Sequence, residues 1–274
     1  IKEMINPTDS KLKKSFIYNI VSNSVNSLDV DKIDYIQRDI YNLSIGNSYS
    51  HSRLFKMCKV IDNEICIHKK EAFNLYEFFR LRYKLHKQIY NHPVVKSHEY
   101  MIADILKNVD EELSLSSSIQ NPIEFTKLTD SILDVIEFLP KTEKVNNALK
   151  LLDRIKCRDL YTFIEEIRID NKKDYNIEKD KLIENLKNKN LYEYLIIHEL
   201  NIGLSGSDIN PIKNIKFYDN NNNNINIEPT DISVFVCKDV KEYSVRFFIK
   251  DIKYKNKIIK KFEILKNNIK LQDK

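Results

Sequence analysis

Residues 27–39 read SLDVDKIDYIQRD, a stretch in which apolar residues recur every three or four positions. At about 100° per residue, this spacing places Ile33, Ile36 and the following Ile40 on one side of a helix. Asp29 precedes the run, and its side-chain oxygens suit the free amides of a first helical turn. The stretch therefore predicts an amphipathic helix that buries its isoleucine side.

The other side of this predicted helix is polar and carries Asp31, Tyr35, Arg38 and Asp39. A carboxylate suits a divalent metal ion, and Lys32 with Tyr35 suits phosphate oxygens. The same pattern is typical of a solvated helix with charge pairs four residues apart. Periodicity alone leaves both interpretations open.

A second polar face follows in residues 74–92, which read NLYEFFRLRYKLHKQIYNH. Arg82, His86 and Tyr90 recur every four residues beside an apolar stripe. That stripe consists of Phe78, Leu81, Leu85 and Ile89. A guanidinium binds phosphate through two donors, and a tyrosine at the end of the ribbon suits packing on a sugar. A basic solvated face is the alternative, and the residues leave both open.

The fold class predicted from these patterns is mainly α. Helical spacing continues from about residue 13 to residue 152 with almost no glycine, which predicts an all-α core at residues 1–156. The predicted helices span 15–24, 31–42, 50–59, 70–91, 94–113, 123–138 and 145–155. Strands predicted at 191–204, 215–218 and 245–249 indicate a smaller α+β lobe at residues 157–274. The asparagine run at 220–224 predicts a flexible loop between strands.

Composition excludes several classes of site. Three glycines are too few for a P-loop or a dinucleotide fingerprint. The four cysteines form no CxxC pair, which predicts reduced thiols, and no histidine pair has the zincin spacing. No apolar run reaches 18 residues, so we expect no membrane association and an intracellular protein, nuclear or cytoplasmic. Because the chain begins at Ile1 and not at methionine, we expect it to be part of a longer protein.

The order and spacing of several short motifs closely resemble the SAM-and-HD-domain deoxynucleoside triphosphate triphosphohydrolases of the HD-domain phosphohydrolase superfamily. The motifs are DVDK at 29–32, DY at 34–35, RD at 38–39, NLY at 74–76, the ribbon at 82–90 and TKLTD at 126–130. NPI at 210–212 and FY at 217–218 resemble the C-terminal lobe of that family. The likeness runs from about Ser15 to Ile249, so the chain is expected to be its C-terminal portion.

The resemblance implies a metal site that this chain carries only in part. The family holds one metal ion with a histidine, a His-Asp doublet and a later aspartate, which Asp31 resembles. None of the six histidines of the chain is followed by aspartate. A site of this type needs three or four protein ligands. We therefore expect one metal ion (Zn, Fe, Mn or Mg) in the complete protein only, and an isolated chain without activity.

The resemblance also implies a substrate site for deoxynucleoside triphosphates, which the family cleaves to deoxynucleoside and tripolyphosphate. The residues assigned to it are Lys32, Tyr35, Asp39, Arg82, His86, Tyr90 and Asn91. Lys32, Tyr35 and Arg82 would contact phosphates. Asp39 and Tyr90 would face the deoxyribose and exclude a 2′-hydroxyl. Asn91 stands where the family usually has glutamine.

Regulation is the third implication, because the family is activated by nucleotides that bind between subunits and assemble a tetramer. Positions that resemble its activator contacts are Arg53, Lys70, Asn74, Arg158 and Leu160. This predicts a GTP or dGTP activator and a homo-oligomer, either dimer or tetramer. Other family cations are replaced, by Pro93, Thr162, Asn220, His68 and Gln88. Fewer cations weaken the attraction for a triphosphate.

Two other functions remain alternatives. A degenerate relative that binds nucleotides or partner subunits without turnover fits the lost cations. Nucleic-acid binding is suggested by lysines near the C-terminus, at positions 250, 253, 255, 257, 260 and 261. Its signature would be an affinity for oligonucleotides that falls steeply with salt.

Overall fold

The structure is a computed structural model that describes residues 2–6, 15–45, 49–206, 208–236 and 240–272, with side chains described as far as Glu263. Ile1, Cys237 and residue 13, which entered the sequence predictions, lie outside these ranges. The chain divides into two compact units. Unit 1 comprises Ile1–Tyr90 and Asn201–Glu242, and unit 2 comprises Asn91–Leu200 and Tyr243–Lys274. Each unit combines two segments, whereas the boundary after residue 156 stays a prediction.

Most regular structure is helical, which confirms the mainly α class. The α-helices are α1 (Lys2–Ile5), α2 (Tyr18–Val21), α3 (Val30–Asn42), α4 (His51–Lys56), α5 (Ala72–Leu85), α6 (Pro93–Asn108), α7 (Asp110–Leu113), α8 (Leu115–Ser118), α9 (Pro122–Phe125), α10 (Ile132–Val135), α11 (Glu143–Lys156), α12 (Lys172–Lys187), α13 (Pro229–Ile232) and α14 (Lys255–Gln272). The strands are β1 (Cys58–Ile61), β2 (Glu64–His68), β3 (Thr162–Arg168), β4 (Leu195–Gly203), β5 (Lys216–Tyr218), β6 (Asn224–Ile225) and β7 (Lys241–Ile249). Short 3-10 turns lie at Lys69–Glu71, Ile136–Phe138, Tyr192–Tyr194, Pro211–Asn214 and Ile252–Tyr254.

Helix α3 of unit 1 has the amphipathic form predicted for it. Ile33, Ile36 and Ile40 are buried in the core of this unit. Asp29 caps the helix, since its carboxylate accepts the backbone amide of Lys32 at 3.0 Å. An N-cap carboxylate satisfies one of the amides that have no partner inside the helix. The periodic apolar side therefore fixes which face of α3 is polar and outward.

The helix predicted at 70–91 is built from three pieces. A 3-10 turn at Lys69–Glu71 leads into α5, and a π-helical turn at His86–Tyr90 follows. The chain then leaves the helix at His92, whose backbone is extended (ψ 137°). The reason is Pro93, which disfavours a helical residue before it and starts α6. His86 and Tyr90, the last two polar residues of the ribbon, lie in this π turn, so α-helical spacing does not apply to them.

The prediction that residues 1–156 are all-α is wrong at one place, because β1 and β2 form an antiparallel hairpin there. The helix predicted at 50–59 ends at Lys56. The two turn residues, Asp62 and Asn63, both have positive φ, at 50° and 63°. These residue types tolerate the left-handed region that a two-residue hairpin needs. A tight turn flanked by β-branched residues therefore outweighs the helical spacing.

The hairpin joins a four-stranded sheet of unit 1 with the order β1-β2-β5-β6. Strand β2 pairs with β5 in parallel, with Ile67 opposite Phe217, and both side chains are buried. Strands β5 and β6 are antiparallel, so the predicted loop at 220–224 does connect two strands. Within it the Asp219 carboxylate accepts the amides of Asn221 and Asn223 at 2.8 and 2.9 Å. Such side-chain acceptors stabilise turns.

Unit 2 has two apolar clusters. Helices α6 and α11 share one of them, centred on Ile105, Val145 and Ala148. The second lies between the three-stranded sheet, in the order β3-β7-β4, and helices α12 and α14. Strand β7 is central and sends alternate residues, Val245 and Phe247 among them, into this cluster. Strand β3 and helix α12 are absent from the sequence predictions, and the predicted helix 123–138 is broken into α9, α10 and a 3-10 turn.

Of the helices that the structure describes, none combines the length and the apolar character that a membrane span requires.

Candidate substrate site

The polar faces of α3 and of the α5 ribbon meet in unit 1. The Arg82 guanidinium donates a hydrogen bond to the Tyr35 hydroxyl. The rings of Tyr35 and Tyr90 pack edge to face with centroids 6.3 Å apart, and those of His86 and Tyr90 do so at 5.0 Å. Four residues assigned to substrate thus form one contiguous cluster.

Tyr90 and Asp39 are hydrogen-bonded within this cluster, with the phenol donating to the carboxylate. Burial raises the pKa of Tyr90, and the hydrogen bond to Asp39 raises it further. The phenol therefore keeps its proton at neutral pH. Because the one phenol proton is donated to Asp39, the pair presents acceptor oxygens at defined positions, which suits the hydroxyl donors of a sugar.

Backbone carbonyl groups hold the Arg82 side chain in place. One terminal nitrogen donates to the carbonyl oxygens of Gly203 and Leu204 at 3.2 and 3.3 Å. Gly203 sits where a Cβ would lie 2.6 Å from the Val240 carbonyl oxygen and 2.6 Å from a Lys241 side-chain carbon. Only glycine allows this close approach of backbone. Sequence reasoning missed Gly203, because its role depends on residues far away in the chain.

Lys32 has a partner of its own. Its ammonium lies 2.6 Å from a carboxylate oxygen of Asp29, and the Asp29 side chain is fully buried. The same carboxylate accepts the Asn23 backbone amide at 2.9 Å. The sequence predicted Asp29 only as a helix cap. The spacing of three residues between Asp29 and Lys32 was the available signal for the ion pair.

Asp31 lies in the first turn of α3 with an exposed side chain. Its charge is near enough to affect the pKa of Tyr35. Burial raises this pKa, Arg82 lowers it, and Asp31 raises it again. Within the part of the chain that the structure describes, no three His, Cys, Asp or Glu residues are grouped as a metal site requires. A single carboxylate does not hold a catalytic metal ion. The described residues therefore do not form that site by themselves.

The other edge of α3 is an ordinary surface. Arg38 and Asp34 form an exposed ion pair at 3.0 Å, four residues apart. Such a pair contributes about 0.3–0.5 kcal/mol. The interpretation as a solvated face with charge pairs therefore holds for this edge of the helix, whereas metal and phosphate binding by the other edge stays a prediction.

Three of the predicted activator contacts lie around Glu71 in unit 1, a residue with a fully buried side chain. Arg53 pairs with its carboxylate at 2.7 Å, and the Asn74 amide donates to it at 3.0 Å. Lys70 is exposed, and its backbone amide is bonded to the His68 ring at 3.2 Å. The structure therefore places these three residues on one side of unit 1.

Two positions where cations were expected are bonded to each other: the His68 ring contacts the Asn220 side chain at 3.0 Å. The other two predicted activator contacts, Arg158 and Leu160, belong to unit 2. Arg158 follows the C-cap residue of α11 and lies in the left-handed region with φ 59°, a conformation that glycine usually supplies there. Its exposed side chain is thus held at some cost in backbone strain.

Asn91, the last residue assigned to substrate, also belongs to unit 2 and directly follows Tyr90 in the chain. A cavity of about 580 Å³ lies elsewhere in unit 2, lined mostly by apolar residues of α6 and α8–α10, together with the polar residues Lys107, Asp110, Ser116, Thr129 and Asp130. None of the predicted site residues lines it. Its size suits a ligand, but most of its wall is apolar and it has a single lysine among the described residues that line it, too little positive charge for a triphosphate. The polar cluster of unit 1 is the better candidate.

Comparison with known proteins points to the class of HD-domain proteins. No protein-family model matches the chain. An HD-domain-containing protein of Acanthamoeba polyphaga mimivirus is 34% identical over 273 residues, 92% of this chain and 59% of that protein.

More specific relatives carry the name deoxynucleoside triphosphate triphosphohydrolase SAMHD1. The homolog from Dictyostelium discoideum is 34% identical over 253 residues, 90% of this chain and 49% of that protein. The human protein is 31% identical over 271 residues, 89% of this chain and 43% of that protein. The chain belongs to this family of HD-domain proteins. It spans about half the length of the curated relatives it matches.

Proposed function

We propose that the protein to which this chain belongs hydrolyses deoxynucleoside triphosphates to deoxynucleoside and tripolyphosphate. The observation that carries the proposal is a chain of contacts within the cluster. Arg82 contacts Tyr35, Tyr35 packs on Tyr90, and Tyr90 donates to Asp39. It combines a cation for phosphate with a phenol–carboxylate pair for a sugar. The relatives named deoxynucleoside triphosphate triphosphohydrolases support the same substrate.

The cations of the cluster would bind the triphosphate. Arg82 is bonded to neutral carbonyl oxygens, so its full positive charge is available to phosphate oxygens. Lys32 is offset by Asp29 and would contribute less charge. Tyr35, held by Arg82, would donate its hydroxyl to a phosphate oxygen. These residues would orient the substrate before the phosphorus is attacked.

The phenol–carboxylate pair would read the sugar. Because Tyr90 donates to Asp39, the two groups hold each other in one geometry. A ribose packed against them would have to fit its 2′-hydroxyl into the same space, whereas a deoxyribose would not. His86 stacks edge to face on Tyr90 and would support the ring. Asn91 would contribute its amide next in the chain.

Metal dependence is part of the proposal, with Asp31 as one ligand. The remaining ligands would come from outside the described residues, and the metal would polarise phosphate oxygens when bound. No geometry of that site follows from this chain. We also propose regulation by GTP or dGTP at Arg53, Lys70, Asn74, Arg158 and Leu160, and assembly into a dimer or tetramer.

The test is a product assay on the full-length protein with dCTP and a divalent metal ion, with and without GTP. Anion-exchange chromatography should detect deoxycytidine and tripolyphosphate. Release of deoxycytidine monophosphate and pyrophosphate would contradict the reaction type. Binding of dCTP without any product would favour the alternative of a regulatory module without turnover.

Two aspartates of α3 give a matched pair of variants. Asp31→Ala should abolish hydrolysis and leave the circular dichroism spectrum unchanged. Asp34→Ala removes an exposed aspartate three residues further along, whose partner is Arg38, and should keep hydrolysis within about twofold because surface pairs contribute little. Full activity of Asp31→Ala would refute its assignment as a ligand.

A further inference from the structure

Arg246 is a buried arginine in the middle of β7, in unit 2. Its side chain is 5% exposed. The β3 residue directly opposite is Glu166, and the guanidinium donates to its carboxylate at 2.7 Å. The Ser244 hydroxyl donates to the other oxygen of Glu166 at 2.6 Å. Both oxygens of Glu166 are thereby used, which fixes the direction in which Arg246 points.

The terminal nitrogen of Arg246 donates to the backbone carbonyl oxygen of Asn91. Asn91 directly follows the π turn His86–Tyr90 in the chain. Carbonyl groups at the end of a helical segment lack N–H donors within it, and a cation there also complements the helix dipole. A charge-assisted bond is about twice as strong as a neutral one. Arg246 therefore ties down the backbone at the residue beside Tyr90.

We infer that Arg246, oriented by Glu166, is a positioning residue that fixes the Asn91 peptide and, through the chain, the sugar-recognising end of the ribbon. The inference rests on the proposed function for its effect on substrate. Arg246 does not contact substrate in this assignment. It acts by setting the backbone from which Asn91 and the preceding Tyr90 project.

The first measurement needs no catalytic activity. Hydrogen–deuterium exchange is followed by mass spectrometry on peptides that cover residues 86–92 of the full-length protein. Arg246→Gln should speed their exchange by about threefold or more, since local opening becomes easier when the bond is lost. Arg246→Lys keeps the charge and should have a smaller effect. Unchanged exchange in both variants would overturn the positioning role.

Arg154 supplies the matched control. It also donates from its guanidinium to a backbone carbonyl oxygen in unit 2, that of Lys250, at 3.3 Å. Arg154→Gln removes the same kind of bond without touching Asn91. It should leave exchange at residues 86–92 as in the unmutated protein. Equal acceleration in both variants would mean general loosening and would overturn the inference.

The second measurement is the ratio of kcat/KM for dCTP to that for CTP. Arg246→Gln should lower this ratio about tenfold, the scale of one lost charge-assisted bond. Faster exchange with an unchanged ratio would overturn the effect on sugar recognition. If Arg246→Gln does not fold, Glu166→Gln keeps a side chain of equal size and should change both readouts in the same direction. Absence of turnover by the unmutated protein would refute the proposed function, while the exchange data would still decide the positioning role.

Discussion

Removing the Tyr90 hydroxyl isolates the contact on which the proposed sugar recognition depends. Tyr90→Phe keeps the ring packed on Tyr35 and His86 but leaves the Asp39 carboxylate without this donor. A hydrogen bond to a charged group contributes about 1.5–3 kcal/mol. Asp39 and Tyr90 are both only half-buried, so water replaces part of the loss. We expect the free energy of unfolding to fall by about 1 kcal/mol, and the melting temperature by about 2–4 °C.

The effect on substrate choice should be larger than the effect on stability. Without the phenol, Asp39 is free to turn and to accept a hydrogen bond from a 2′-hydroxyl. The ratio of kcat/KM for dCTP to that for CTP should fall by about tenfold, which is about 1.4 kcal/mol. Tyr83→Phe is the control, because Tyr83 is on the same helix and contacts Lys87 instead. An unchanged ratio in Tyr90→Phe, or an equal fall in Tyr83→Phe, would refute the reasoning.

Two further predictions concern stability. Asp29→Ala should lower the free energy of unfolding by about 2–3 kcal/mol in urea titrations, because Asp29 caps α3, accepts the Asn23 amide and pairs with Lys32. Asp29→Asn keeps the cap and should lower the free energy of unfolding less. Equal losses in the two variants would contradict a separate contribution of the ion pair. Burial, then Lys96 and Arg246, lower the pKa of His198, opposed by Glu99 and Glu166. The pKa of His198 is therefore lower in the folded protein than the unfolded value of about 6.5. The folded state keeps its full stability above that value and loses stability as the pH falls below it, because the unfolded state then binds more protons. Melting temperatures should therefore drop between pH 7.5 and 5, and His198→Gln should flatten this drop; an unchanged slope would exclude His198 as its source.

The sequence predicts α3 and the ribbon of α5 well because their patterns are local. Three isoleucines at helical spacing suffice to place the polar side of α3, and the structure buries all three. The hairpin β1–β2 was missed because its four-residue strand follows a helix without a glycine or proline between them. Its parallel partner β5 lies about 150 residues away, beyond any local pattern. Helix α12 was missed because charged residues interrupt its apolar spacing.

The candidate site could likewise be predicted from the sequence only in part. Residue types and order indicated Tyr35, Arg82 and Tyr90, but no local pattern shows what holds them. The carbonyl oxygens behind Arg82 come from residues more than 100 positions later, and the donor to Asn91 comes from Arg246. Such contacts depend on tertiary packing, which a single sequence does not display.

The partners of the two cations decide which of them matters more for a triphosphate. Lys32 lies against a fully buried carboxylate, so the pair is close to neutral from a distance. Arg82 is bonded to carbonyl oxygens and to a phenol, which orient the guanidinium without a direct carboxylate partner among the described residues. A planar guanidinium with fixed orientation also matches two phosphate oxygens at once, which favours Arg82 as the main phosphate contact of the proposed site. If Lys32 binds substrate as proposed, it would couple binding to the start of α3, because the carboxylate that it contacts is also the cap of the helix that carries Asp31.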